Sequence, residues 1–91
     1  MDIMQELYSV IMDRKANPVE GSYTNYLMSK GTEKIAKKVG EEAVETAIAA
    51  AKKNKSEVVA ELADLQYHML VLMADQGITL DDLYGELRSR R

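Results

Sequence analysis

The chain has 91 residues, 46% hydrophobic and 30% charged, with a net charge of −3, one histidine and no cysteine. That length fits one domain, the missing cysteines exclude disulfides and thiolate metal sites, and a lone histidine disfavours zinc within one chain. A pI near 5.1 argues against a general nucleic-acid surface, which needs a basic face.

The elements read as helices throughout. Residues 2–16 place Ile3, Leu7, Val10 and Ile11 at helical spacing, with Asp2 as the N-cap. Asn17-Pro18 ends this helix, because proline disfavours a helical residue before it. Ser22 caps a short second helix carrying Tyr23, Tyr26 and Leu27, and Gly31 closes it in the left-handed conformation. Thr32 then caps a third helix of about twenty residues. Gly40 inside it costs about 1 kcal/mol relative to alanine and permits close approach of a helix or a ligand. Lys52-Lys53-Asn54-Lys55 closes that helix, where cations oppose the negative dipole end. Ser56 caps a fourth helix running to about Gln76, with Gly77 beyond its end. Thr79 caps the last, whose first turn holds Asp81 and Asp82 and whose apolar residues are Leu80, Leu83, Tyr84 and Leu87. The arginine-rich end, Arg88 to Arg91, is expected to trail unstructured. The expectation is an all-α single domain spanning residues 1–91, a bundle of four to five helices.

The longest apolar run, Met69 to Ala74, is far too short to cross a bilayer. The start Met1-Asp2-Ile3 lacks a charged leader followed by an apolar run, so the expected location is cytoplasmic, without a membrane partner.

On a helical wheel of about 100° per residue, Ile35, Ala36, Val39, Ala43, Ala47, Ala50 and Ala51 form one arc of the third helix, expected to face its partner. Lys34, Lys38, Glu41, Glu42 and Glu45 share the opposite sector. The fourth helix is apolar almost all round, from Val58 to Ala74, as buried helices are. A chain this small can hardly surround it, so a homodimer is expected, with these helices near its centre.

One narrow stripe of the fourth helix stays polar: Glu61, Asp64, His68 and, farther on, Asp75, which is expected to be solvated. Glu42/Glu45 and Glu61/Asp64 each stand three residues apart, so each pair shares a helix face with Cβ atoms roughly 5–6 Å apart. Antiparallel packing brings the four carboxylates together. Unpaired buried carboxylates cost several kcal/mol each against a total stability of about 5–15 kcal/mol, so these must face a cation, a lysine or a water-filled cleft. All-oxygen ligands select magnesium or manganese, and nearby Lys34 and Lys38 suit phosphate oxygens. The chemistry expected is magnesium-assisted hydrolysis of a phosphoanhydride. Taken alone, a Glu-Glu-x-x-Glu run is a solvated face, the lysines are surface ion-pair partners, and His68 makes a structural hydrogen bond. The combination on successive helices, in an apolar setting, is what favours a site. A carboxylate-bridged di-iron bundle wants Glu-x-x-His on two helices, and a non-catalytic dimerisation module would not need Glu61 or Asp64.

Glu41-Glu42-Ala43-Val44-Glu45 followed by Glu61-Leu62-Ala63-Asp64 resembles the MazG-like all-α nucleotide pyrophosphohydrolases. Within them, Ser22-Tyr23-Thr24, Leu27, Gly31, Lys34-Ile35, Lys38-Val39-Gly40, Asp64-Leu65-x-Tyr67-His68 and Leu80-Asp81-Asp82-Leu83 resemble the phosphoribosyl-ATP pyrophosphohydrolase family over nearly the whole chain. The resemblance implies cleavage of phosphoribosyl-ATP to phosphoribosyl-AMP and pyrophosphate, the second step of histidine biosynthesis, with Mg2+ or substituting Mn2+. It implies Glu42, Glu45, Glu61 and Asp64 as metal ligands, and Glu41, beside Glu42 and Glu45, as a supporting group or proton acceptor. It assigns phosphate to Lys34 and Lys38, and a substrate-facing role to Ser22, Tyr23 and Thr24. In many organisms this domain follows a phosphoribosyl-AMP cyclohydrolase domain that is not found in residues 1–91, so a separate cyclohydrolase is expected to take the product. A MazG-like house-cleaning nucleoside triphosphate pyrophosphohydrolase is the alternative within the same chemistry.

Overall fold

In the computed structural model, which describes residues 2–91, each helix start is fixed by a short polar side chain or a glycine. Asp2 accepts from the Gln5 amide at 2.9 Å and Gln5 Oε1 accepts from the Asp2 amide at 3.0 Å, a reciprocal cap that opens α1 (Ile3–Ala16). Ser22 caps α2 (Tyr23–Lys30) through the Asn25 amide. Then come α3 (Thr32–Ala51), α4 (Lys55–Gln76) and α5 (Leu80–Ser89), the last opened by Thr79 and Asp82 in a second reciprocal cap. Gly77, at φ 70° and ψ 26°, closes α4 in the left-handed conformation. Among the described residues there is no strand, and no helix is long and apolar enough to cross a membrane.

Two caps differ from expectation. Thr32 does not cap α3: Gly31 occupies that position, at φ 89° and ψ 178°, an extended backbone with positive φ that favours glycine. The Thr32 hydroxyl instead donates to Asp75 Oδ2 at 2.7 Å, so Asp75 is half-buried and engaged rather than solvated. At α4 the cap is Asn54, not Ser56; Asn54 Oδ1 accepts from the Glu57 amide at 3.2 Å and from the Ser56 hydroxyl at 3.0 Å. Asn and Ser are comparable caps, and here the earlier one takes the helix start.

The core joins Ile11 of α1, Leu27 of α2, Ile35 of α3, Leu70, Val71, Met73 and Ala74 of α4, and Leu80 of α5. Ile3 and Val10 stay exposed on α1, as does Leu87 on α5. Lys15 Nζ donates to the Ala74 carbonyl at 2.8 Å, placing a cation on the negative end of α4. Asn25 ties the connecting loop down, donating to the Arg14 carbonyl at 2.7 Å and accepting from the Val19 amide at 2.8 Å, which sets the position of Ser22 to Thr24. The arginine-rich end is partly structured: Arg88 lies within α5, and Arg90 meets Glu86 at 3.4 Å.

The inward face of α3 corrects the wheel reading. Ile35, Glu42 and Ala49 are buried and Lys38, Val39 and Thr46 half-buried, while Ala36, Ala43, Ala47, Ala50 and Ala51 are exposed. The reason lies on α4, which turns Glu61 and His68 toward α3, so polar stripe meets polar stripe. Helix α4 is buried only in its C-terminal half. Its N-terminal half leaves Val59 and Leu62 exposed.

Leu70 is 1% exposed and central to the core. Leu70→Ala is expected to cost about 2–5 kcal/mol, read as a lower urea midpoint with an unchanged slope.

Candidate active site

Helices α3 and α4 pack against each other along most of their length, and this pairing turns two local spacings into one cluster. Ligand-type atoms of Glu42, Glu45 and Glu61 lie within 4.8 Å of one another, and so do those of Glu42, Asp64 and His68. Glu42 is common to both groups. The four carboxylates expected to gather therefore form two adjoining sets hinged on Glu42 rather than one.

Glu42 is only 3% exposed. Its Oε1 meets Lys38 Nζ at 3.4 Å, while its Oε2 is buried with no hydrogen-bond partner among the described residues, and Glu61 Oε2 is in the same condition. Buried polar atoms are almost always satisfied, and one lysine cannot neutralise this many carboxylates. Two unpartnered anionic oxygens beside further carboxylates are the arrangement a hard divalent cation completes. The residues present thus fit magnesium or manganese: oxygen donors from two rigid helices, no thiolate, and space for ligands from a substrate.

The local electrostatics agree. Asp64, though its side chain is half exposed, is held above the ordinary aspartate range by partial desolvation and by the Glu42 carboxylate beside it, with His68 and Lys38 pulling the other way. Burial disfavours the charged Lys38 ammonium, but the Tyr23 oxygen, Glu42 and Glu41 outweigh it and hold Lys38 above its usual value. Burial raises the Tyr23 phenol, against Lys38, with Tyr67, Asp64 and Glu42 adding to the rise.

Of the other expected residues, Glu41 is exposed and lines a shallow depression with Lys37, Gly40, Val44 and Glu45, outside both carboxylate groups. Lys34 is half-buried and makes no ion pair among the described residues. The Ser22 hydroxyl is engaged as the α2 cap. Thr24 is buried and hydrogen-bonded to the Tyr67 hydroxyl. Tyr23, 46% exposed, stacks between Tyr26 and Tyr67 and reaches His68 Nε2 at 2.9 Å. Tyr67 and His68 thus form the site wall: Tyr67, counted among the apolar residues of the fourth helix, bonds Thr24, and His68 makes the structural hydrogen bonds expected of it. They follow Asp64 by three and four residues, one helical turn along. Beyond Tyr23 opens a cleft of about 900 Å³ lined by Lys15, Glu20, Ser22, Tyr23, Tyr26 and Asp75.

Fold and site define a class: an all-α bundle whose two longest helices bring acidic side chains into a partly buried, cation-ready cluster. The chain belongs to the phosphoribosyl-ATP pyrophosphohydrolase family, whose model matches residues 4–91. It is 52% identical to a phosphoribosyl-ATP pyrophosphatase of Clostridium novyi, over 100% of this chain and 83% of that protein. It is 54% identical to one of Listeria monocytogenes serotype 4b, over 97% of this chain and 84% of that protein. Against a histidine biosynthesis bifunctional protein HisIE of Thermoanaerobacter pseudethanolicus it is 58% identical over 92% of this chain. The chain spans about two-fifths of the length of such bifunctional relatives, 39% and 44% in two cases.

Proposed function

We propose that this chain hydrolyses phosphoribosyl-ATP to phosphoribosyl-AMP and pyrophosphate, the second step of histidine biosynthesis. The observation that carries the reading is the pair of buried, unpartnered oxygens on Glu42 and Glu61 within a cluster of acids. Glu42, Glu45, Glu61 and Asp64 would hold Mg2+, or Mn2+ in its place. Magnesium held there supplies charge neutralisation at the phosphates and acidifies water.

The chain's own residues do the rest. Lys38, fixed at 3.4 Å from Glu42, keeps a positive charge at the edge of the cluster where phosphate oxygens arrive. Lys34, one turn earlier and without a competing ion pair among the described residues, extends that charge outward. Glu41, exposed beside Glu45, is free to accept a proton from water at the rim. Ser22 and Tyr23 line the cleft that receives the nucleoside end of the substrate, while Thr24, bonded to Tyr67, holds the segment in place from inside. The phosphoribosyl-AMP product passes to a cyclohydrolase. A cytoplasmic setting suits a soluble nucleotide substrate.

A homodimer belongs to the same reading. The chain exposes 6198 Å², against about 5,300 Å² for a folded monomer of its 10.2 kDa mass. The excess, roughly 900 Å², is close to the ~800 Å² each partner contributes to a standard interface.

The test is a pyrophosphate-release assay. Phosphoribosyl-ATP is expected to turn over with Mg2+ and to stop with EDTA. Faster hydrolysis of deoxynucleoside triphosphates than of phosphoribosyl-ATP would assign the house-cleaning activity instead.

A further inference from the structure

Beyond the carboxylates, the buried titratable side chain that the proposed reaction leaves without a task is His68. It is 3% exposed, and both ring nitrogens are engaged. Nδ1 lies 2.8 Å from the Asp64 backbone carbonyl and 3.4 Å from Asp64 Oδ1. Nε2 lies 2.9 Å from the Tyr23 hydroxyl. A carbonyl oxygen only accepts, so Nδ1 carries the hydrogen. In the neutral ring Nε2 is then the acceptor, and Tyr23 donates to it. The edges of the rings hold this arrangement: His68 packs T-shaped against Tyr23 at 5.7 Å and against Tyr67 at 5.2 Å between centroids.

Two consequences follow. The only hydrogen on the Tyr23 oxygen is committed to His68, so to a substrate that oxygen offers lone pairs alone. A phosphate, itself an acceptor, gains nothing from it; a sugar hydroxyl or a base amino group does. The second consequence concerns Asp64, whose turn of α4 is tied through the ring to the wall made by α2. We propose that His68 is a positioning residue that joins Tyr23 to Asp64, orienting the tyrosine oxygen to receive a hydroxyl or amino hydrogen from the nucleoside end of the substrate while steadying Asp64 for the cation. This rests on the nucleotide and cation reading above. The competing role is direct ligation, since His68 shares a group with Glu42 and Asp64. It would require breaking one of the two ring hydrogen bonds, and a hard cation prefers oxygen.

The wild-type chain answers first. Long-range nitrogen–proton NMR at neutral pH should show the Nδ1–H tautomer; the Nε2–H tautomer overturns the proposal. Pulsed electron paramagnetic resonance with Mn2+ should show no directly bonded nitrogen; such a coupling makes His68 a ligand and overturns it too. Among variants, His68→Gln keeps an amide at the Nε2 position and loses the Asp64 bond. It should weaken Mn2+ binding by about 10–100-fold, as loss of a ligand's supporting partner does. Tyr23→Phe and His68→Asn, which spares the Nδ1-type donor, should leave Mn2+ affinity within a few-fold. Each should raise KM for phosphoribosyl-ATP by about tenfold, the worth of one hydrogen bond. Their combination should do no more than either alone. Unchanged Mn2+ affinity in a folded His68→Gln chain, or additive KM effects, would overturn the linkage. If the wild-type chain binds Mn2+ but does not cleave phosphoribosyl-ATP, the function reading fails, and the tautomer and the Mn2+ comparison still judge His68. If it binds no Mn2+, both fail.

Discussion

Glu42→Gln is expected to abolish pyrophosphate release and, at the same time, to make the metal-free protein more stable. Glu42 is the one acid shared by both carboxylate groups, and it is almost fully buried. Only its Oε1 has a partner, Lys38 at 3.4 Å; its Oε2 faces other acids without one. In the metal-free chain that anion is desolvated and repelled, which is a cost. Glutamine keeps the volume and an oxygen for Lys38, removes the charge, and brings an amide that donates to the neighbouring carboxylates. The gain should be about 1–3 kcal/mol, read as a higher urea midpoint in EDTA. With Mg2+ the order reverses: the wild-type chain is stabilised by ligand binding and the variant is not. Loss of several kcal/mol of charge stabilisation corresponds to a fall of about 10³-fold or more in kcat/KM. A glutamine variant that stays active, or that is less stable than wild type in EDTA, would mean that Glu42 serves the fold through Lys38 and not a cation.

The features legible in sequence are the local ones. The caps Asp2, Ser22 and Thr79, and the closing Gly77, were readable because each acts within about one turn of its own helix. The pairs Glu42/Glu45 and Glu61/Asp64 were readable for the same reason. Thr32 looked like a cap and is not, because its hydroxyl has a better partner in Asp75, 43 residues away. The wheel misplaced the inward face of α3 because it weighs hydrophobicity one helix at a time. Which side turns in is decided by the neighbour, and here the neighbour presents acids and a histidine. An exposure of only 3% at Glu42 contradicts its hydropathy and agrees with its position opposite Glu61. The Tyr23–His68 bond joins residues 45 apart, and no pattern along the chain announces it. The inward face of α3, the burial of Glu42 and the Tyr23–His68 bond thus fall where the acids collect, where a binding site would have reason to override hydropathy.

Charging the bare end of α4 is expected to split the protein into monomers. Val59 is 59% exposed and Leu62 43%, three residues apart on the same helix face. They lie in the N-terminal half of α4, ahead of the stretch from His68 to Ala74 where its buried residues are found. An apolar face that is half covered within the chain and half bare is continuous with the core, so a second copy can extend the same packing. In a two-fold dimer the substituted face recurs on the partner. Val59→Asp with Leu62→Asp therefore places four carboxylates in one apolar interface. Even at about 3 kcal/mol in total, a low figure for unpaired buried charge, dimerisation weakens more than about a hundredfold. Sedimentation equilibrium should show the wild-type chain at twice the monomer mass at micromolar concentration and the double variant at the monomer mass. The urea midpoint of the wild type should rise with protein concentration, and that of the variant should not. A wild-type chain that sediments as a monomer would overturn the dimer. Because the cluster of Glu42, Glu45 and Glu61 lies on the same helix pair, the assay carries further information. If the monomeric variant keeps its Mn2+ affinity but loses turnover, the partner copy contributes to the substrate cleft; if both persist, each chain carries a whole site.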